Sequence, residues 1–155
     1  RLVIEGLRRA GRRGLLATGG GALGRADASE RIHFIAGAPH DRLFPLVHAT
    51  LHHGGAGTTG AALRAGKPMA ICPFLGDQPF WARRIEALGV GTPPLDKRRM
   101  TADDLAAAFR SMDDPAMRAR AQALGAAIRS EDGVGTAVAF IEERLTRAKP
   151  GASAA

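Results

Sequence analysis

"LHHGGAGTTGAALRAGKP", Leu51 to Pro68, decides how the rest of the chain is read. Two histidines, a run of glycines and a Thr-Thr pair stand directly ahead of an alanine-rich segment. Glycines let the backbone come close to a partner and adopt positive φ. Threonines add hydroxyls, and a helix start adds unpaired N–H groups at the positive end of the helix dipole. Together these parts suit a phosphate. The helix is expected from about Thr58 to Ala65, closed by Gly66 with Pro68 just beyond. "ATLHH" (Ala49–His53) reads as the strand that feeds the loop.

Outward from this turn, strand and helix patterns alternate. Leu2, Val3 and Leu7 mark an amphipathic helix ending near Gly11, and "GLLAT" (Gly14–Thr18) a short buried strand. "GGGALGRADASE" is a loop, "RIHFIAG" (Arg31–Gly37) a second strand, and Arg42–Val47 a helical turn within a connection. "PMAICP" (Pro68–Pro73) is a fourth strand, Asp77 to Leu88 a helix closed by Gly89, and "VGT" (Val90–Thr92) a short fifth strand. The last third reads as helical: Thr101 and Asp114 stand at N-cap positions, with Pro115 at N1 and a final helix from about Val134 to Ala148. "KPGASAA" (Lys149–Ala155) is expected to be a disordered tail. Alternation of this kind predicts an α/β fold with a doubly wound, Rossmann-like, mostly parallel sheet and a helical C-terminus. Ligands bind such sheets at the carboxyl ends of the strands, where the glycine loop sits.

Bulk properties narrow the function. The 155 residues suit one domain of about 1–148 with a real core. Apolar residues make up 45%, which argues against disorder. No apolar run approaches the roughly 20 residues that span a bilayer, and Arg1–Ala10 does not resemble a signal peptide. Contact with a membrane is therefore expected to be peripheral at most. A single cysteine, Cys72, fits a reducing compartment, so a cytoplasmic location is expected. The net charge of +7 raises nucleic acid as a partner. The absence of Tyr and the dispersal of the arginines among acids argue against it, and no nucleic-acid partner is expected.

Each candidate site has an ordinary counterpart. "GGGALG" (Gly19–Gly24) matches G-x-G-x-x-G, but no apolar period follows to open a helix within it, so a plain turn explains it equally well. "GGAGTT" lacks the G-K-[ST] ending of a Walker A loop. His48 and His52 are four apart without the glutamate of H-E-x-x-H, and His52 and His53 on one strand point to opposite faces, so no metal site is expected. One of these two histidines packs inward; His53, beside Gly54, is the better ligand contact. Cys72 in an apolar strand reads as a small buried hydrophobe, and Trp81, spaced with Ile85 and Leu88, as core. "PFLGDQPFW" places Asp77-Gln78 after a strand and a Gly turn. Asp77 could simply cap the helix, or the pair could hold a polyol: a carboxylate accepts from hydroxyls, and a Gln amide donates and accepts. A phosphate loop and a polyol clamp on one rim describe a nucleotide-sugar site.

The two stretches together, "HHGGAGTTGAALRAGKPMAICPFLGDQPFWARRIEALGVG", resemble the donor-binding signature of GT-B glycosyltransferases of the UDP-glycosyltransferase superfamily. The nearest flavour is that of sterol glucosyltransferases and of bacterial enzymes that glycosylate antibiotics or macrolides. The resemblance covers about Arg1 to Gly91. It implies that His53 contacts the donor diphosphate and that Gly55, Gly57, Thr58 and Thr59 hold the phosphates. Asp77 and Gln78 match the pair that binds the sugar hydroxyls; Ala38, Pro39 and His40 fall on the base-binding turn, and Thr18 and Gly19 near the cleft. The implied co-substrate is a UDP- or dTDP-hexose, with no cofactor. The implied activity is hexosyl transfer to a hydroxyl of a lipophilic acceptor.

The chain also departs from the pattern. Gly37 stands where the plant branch has a base-stacking Trp, and Ala61 where it has a ribose-binding Glu. The family's acceptor domain and catalytic-base histidine are not in this chain, which opens as if after the donor domain's first strand, so no catalytic base is expected here. A stand-alone nucleotide-sugar or phosphate-binding module without catalysis is the alternative. A nucleic-acid binder and a nucleotide-sugar epimerase fit the signature less well.

Overall fold

Hydrogen bonding between parallel strands organises the chain, in a computed structural model that describes residues 1–18 and 29–148. Strand β1 (Gly14–Ala17) runs parallel to β2 (Ile32–Ile35), with Gly14 opposite Ile32 and Ala17 opposite Ile35. Strand β3 (Thr50–His52) runs parallel to β4 (Met69–Ile71), with Thr50 opposite Met69. The expected fifth strand reduces to a bridge between Gly91 and Met69, flanked by Met69 N–H to Val90 C=O and Thr92 N–H to Met69 C=O. Each strand is one to three residues shorter than its expected run, and β2, β3 and β4 are trimmed at both ends. Most of the expected loop after Thr18, including Gly19, and the tail Lys149–Ala155 lie outside the described residues.

The described strands are parallel, as the doubly wound α/β reading expects, and they pair two by two, β1 with β2 and β3 with β4. What joins them is apolar packing. Leu7 of helix α1 (Leu2–Arg9), Leu16 of β1, Ile32 of β2 and Ala70 of β4 share one buried cluster with Leu105 and Phe109 of helix α5 (Ala102–Ser111). Helix α1 lies close on α5 because Gly6 has no Cβ; one there would stand 2.6 Å from the Leu105 Cβ.

A second cluster lies beneath the loop of interest. Helix α2 (His40–Leu43) runs into a short 3-10 turn, Phe44–Leu46, whose Phe44 is buried with Ala62 of α3 (Ala56–Arg64), Met69, Ile71, and Ala82 and Ile85 of α4 (Gln78–Ala87). Helix α6 (Pro115–Ser130) closes over α3 at Gly125, where a Cβ would lie 2.7 Å from both the Gly66 Cα and the Leu63 carbonyl oxygen. Helix α7 (Gly133–Ala148) follows, with Val134, Val138, Ile141 and Leu145 exposed. Both expected caps form: Thr101 and Asp104 make a reciprocal capping box, and the Asp114 carboxylate accepts from the Ala116 and Met117 N–H groups.

Several exposed arginines hold carbonyls at helix ends. Arg31 donates to the Gly11 carbonyl behind α1 (2.8 Å), and Arg120 donates from Nε to the Gly89 carbonyl behind α4 (2.8 Å). Arg129 donates to the Arg64 carbonyl at the end of α3. Unpaired carbonyls and the negative dipole end make these good places for a guanidinium.

Candidate functional site

Gly54, immediately after β3, turns the chain with φ +92°. Most L residues avoid that conformation. There is no room for a side chain either, since a Cβ on Gly54 would stand 2.5 Å from the Ile71 Cγ2. The turn is held by His52, whose Nδ1 accepts the Gly54 N–H at 3.1 Å. That bond fixes the neutral tautomer with its proton on Nε2. The His52 side chain is largely buried, and burial pushes its pKa down to about 4, with smaller contributions from His53 and His40. The alternation of the strand therefore places His52 inside and His53 outside, as the sequence reading expected.

Gly55 then takes an extended conformation (φ −60°, ψ 142°) and serves as the N-cap of α3. The first intrahelical bond runs from the Thr59 N–H to the Gly55 carbonyl. The N–H groups of Ala56, Gly57 and Thr58 thus have no acceptor within the helix, and no side chain caps them. The His53 ring lies against this helix start: a Cβ on Gly55 would be 2.7 Å from its Nε2. Gly57 is open on the side where a side chain would stand. An imidazole, three N–H groups without a helical acceptor and a dipole end therefore meet at the helix start, an arrangement whose chemistry suits an anion.

Two of the sequence-derived residues play other parts. Thr59 has its side chain fully buried and its N–H committed to Gly55, so its hydroxyl does not face a ligand. It shares the inward face of α3 with Ala62, three residues on. Thr18 donates its hydroxyl to the Ile35 carbonyl (3.2 Å) and so stitches β1 to β2. Conversely, the helix begins at Ala56, two residues before the expected start, so the Ala56 N–H joins the set. The signal was present: a Gly at N-cap with no need of positive φ.

The second loop leaves β4 through Cys72, whose thiol is buried and has its pKa raised chiefly for that reason. It turns at Gly76 (φ 63°) into Asp77 and Gln78. Asp77 occupies the N-cap of α4 but caps nothing; its Oδ2 accepts the Trp81 indole N–H at 2.8 Å. The Gln78 Oε1 accepts the N–H groups of Phe74 (2.7 Å) and Leu75 (3.1 Å). Trp81, expected as core, is half-buried against the Ile85 cluster with its N–H turned outward to Asp77. The two loops touch: a Cβ on Gly54 would lie 3.4 Å from the Gln78 carbonyl oxygen.

Ala38, Pro39 and His40 are exposed at the start of α2. The His40 ring stacks on Phe44 (centroids 4.5 Å apart), and α2 packs beside α3. His48 pairs instead with Asp113 (3.0 Å). Among the described residues, no helix is long and apolar enough to cross a membrane.

Known proteins match this chain closely. A family model described as "Erythromycin biosynthesis protein CIII-like, C-terminal domain" matches residues 25–141. The sterol 3-beta-glucosyltransferase UGT80A2 of Arabidopsis thaliana is 40% identical over 149 residues, 96% of this chain and 23% of that protein. The chain thus spans about a quarter of the length of that relative. Among solved structures, the calicheamicin glycosyltransferase CalG4 superposes with a TM-score of 0.78 at 24% identity, over 96% of this chain and 40% of that one. The glycosyltransferase VinC in complex with dTDP superposes with a TM-score of 0.66 at 27% identity, over 76% of this chain and 31% of that one.

Proposed function

The chain belongs to the family of the erythromycin biosynthesis protein CIII-like C-terminal domain, and from that premise we propose that it forms the donor-binding part of a glycosyltransferase that moves a hexose from a UDP- or dTDP-sugar to a hydroxyl of a lipophilic acceptor. The observation that carries the proposal is the contact between the two loops. The anion site at the start of α3 and the Asp77–Gln78 pair at the start of α4 meet where Gly54 backs onto the Gln78 carbonyl. They are the carboxyl-end turns of neighbouring parallel strands. A diphosphate on the first and its sugar on the second is the placement this geometry supports.

In this proposal His53 and the Ala56, Gly57 and Thr58 N–H groups stabilise the charge that grows on the departing diphosphate. Asp77 and Gln78 hold the hexose so that its anomeric carbon is fixed for attack by the acceptor hydroxyl. The acceptor and the base that deprotonates it are assigned to a domain outside this chain. The dTDP in VinC and the glucosyl transfer named for the plant relative support the donor class.

Calorimetric titration of the chain with UDP and with dTDP tests the reading, beside His53→Ala. Binding of either nucleotide, weakened in the variant by about 1.5–3 kcal/mol for loss of a charge-assisted hydrogen bond, is the expected result. A folded chain that binds neither refutes it.

A further inference from the structure

Resting on that donor-site reading, we infer that Trp81 is a positioning residue for the sugar, acting through Asp77, and that the turn around it gives the sugar site a fixed polarity.

The argument starts from the unusual use of the Asp77 side chain. At a helix N-cap an Asp ordinarily accepts from the N–H two or three residues on. Here the carboxylate turns along the helix to the indole N–H of Trp81, one turn away (2.8 Å). The Trp81 ring is itself held on two sides: it packs on the buried cluster around Ile85, and Phe80 meets it edge to face (centroids 5.1 Å apart, 78° between planes). A rigid donor therefore takes Oδ2, and Oδ1 of this exposed side chain remains as an acceptor.

Gln78 is oriented just as firmly. Two backbone N–H groups, from Phe74 and Leu75, converge on one end of its amide. An –NH₂ cannot accept, so that end is the oxygen, and its two lone pairs are both engaged. What remains for a ligand is the Nε2 group, which only donates. The stretch that supplies those donors is tied in turn by the Lys97 ammonium, which donates to the Phe74 carbonyl (3.0 Å) and lies over the Phe74 ring.

Neighbouring residues thus present one acceptor, the Asp77 Oδ1, and one donor, the Gln78 Nε2. Two adjacent sugar hydroxyls fit this pair, the first donating to Asp77 and the second accepting from Gln78. A hexose deoxygenated at either carbon leaves one of these groups unmatched.

Trp81→Phe tests the inference, because it removes the indole N–H and retains an aromatic ring in the packing. The readout is the affinity for UDP-glucose set against that for UDP. Trp81→Phe should bind UDP as the unsubstituted chain does and lose about five- to tenfold toward UDP-glucose, as expected for loosening one charge-assisted contact. In an Asp77→Ala background the same change should cost nothing further, since Trp81 would have no carboxylate to hold. The chain has one tryptophan, so its single indole N–H resonance provides a reading that needs no change at position 81. It should move on addition of UDP-glucose and stay on addition of UDP. Equal losses toward UDP and UDP-glucose, additive losses with Asp77→Ala, or an indole resonance indifferent to the sugar would overturn the inference. If the unsubstituted chain fails to bind UDP at all, the donor-site reading falls first, and this inference with it.

Discussion

Gly55→Ala separates the role of a side-chain position from the stability of the fold. Gly55 sits at φ −60° and ψ 142°, a conformation alanine adopts freely. The added methyl would reduce the freedom of the unfolded chain by about 0.4–1 kcal/mol and lose a similar amount because Ala is a poorer N-cap than Gly. The net change in stability should stay within about 1 kcal/mol. The new Cβ, however, would stand 2.7 Å from the His53 Nε2. Ordinary contacts need about 3.5–4.0 Å, so the ring must move by about 1 Å or rotate away. If His53 binds the diphosphate from its present place, UDP affinity should fall by about 1.5–3 kcal/mol, or 10- to 150-fold, as when a charge-assisted hydrogen bond is lost. The assay is a titration with UDP, paired with a denaturant melt and repeated with His53→Ala and the double variant. The double variant should be no worse than His53→Ala alone. An unchanged affinity in Gly55→Ala would refute the reasoning, because the methyl cannot coexist with the ring where it lies.

Two further outcomes follow from the same turn. Gly54→Ala should destabilise the chain by about 2–4 kcal/mol, because it combines a left-handed backbone with a methyl 2.5 Å from Ile71; chemical denaturation reads this directly, and a change under 1 kcal/mol would contradict the packing described. Stability should also depend on His52. With a folded pKa of about 4 against an ordinary 6.5, the unfolded chain binds the proton more readily, so stability is complete above about pH 6.5 and is lost as pH falls toward 4. The loss attributable to this group is about 3 kcal/mol, and its slope should vanish in His52→Leu when the two are melted side by side.

Much of this was legible because the decisive features are local. A strand, a glycine turn and a helix closed by Gly66 follow from spacing alone, and the inward and outward histidines follow from strand alternation. The pairing of strands was not legible, since backbone hydrogen bonds between segments leave no mark in the apolar runs that form them. Thr59 was misread because motif position outweighed helical period: once the helix starts at Ala56, Thr59 and Ala62 lie on the same inward face. Asp77 shows the converse. Cap grammar predicts the backbone as its partner, and nothing short of the folded turn reveals that an indole four residues later competes successfully for the carboxylate.

The arginines described at the helix ends change the meaning of the net charge of +7. Arg31, Arg120 and Arg129 each have a carbonyl to hold. A cation engaged in this way acts as a fastener, and the dipole it faces offsets part of its field. The isoelectric point therefore overstates how much positive potential the surface offers to a passing polyanion. Part of what a titration would count as basicity is scaffolding, and lysine, which lacks the planar fork, could match the charge without matching the joint.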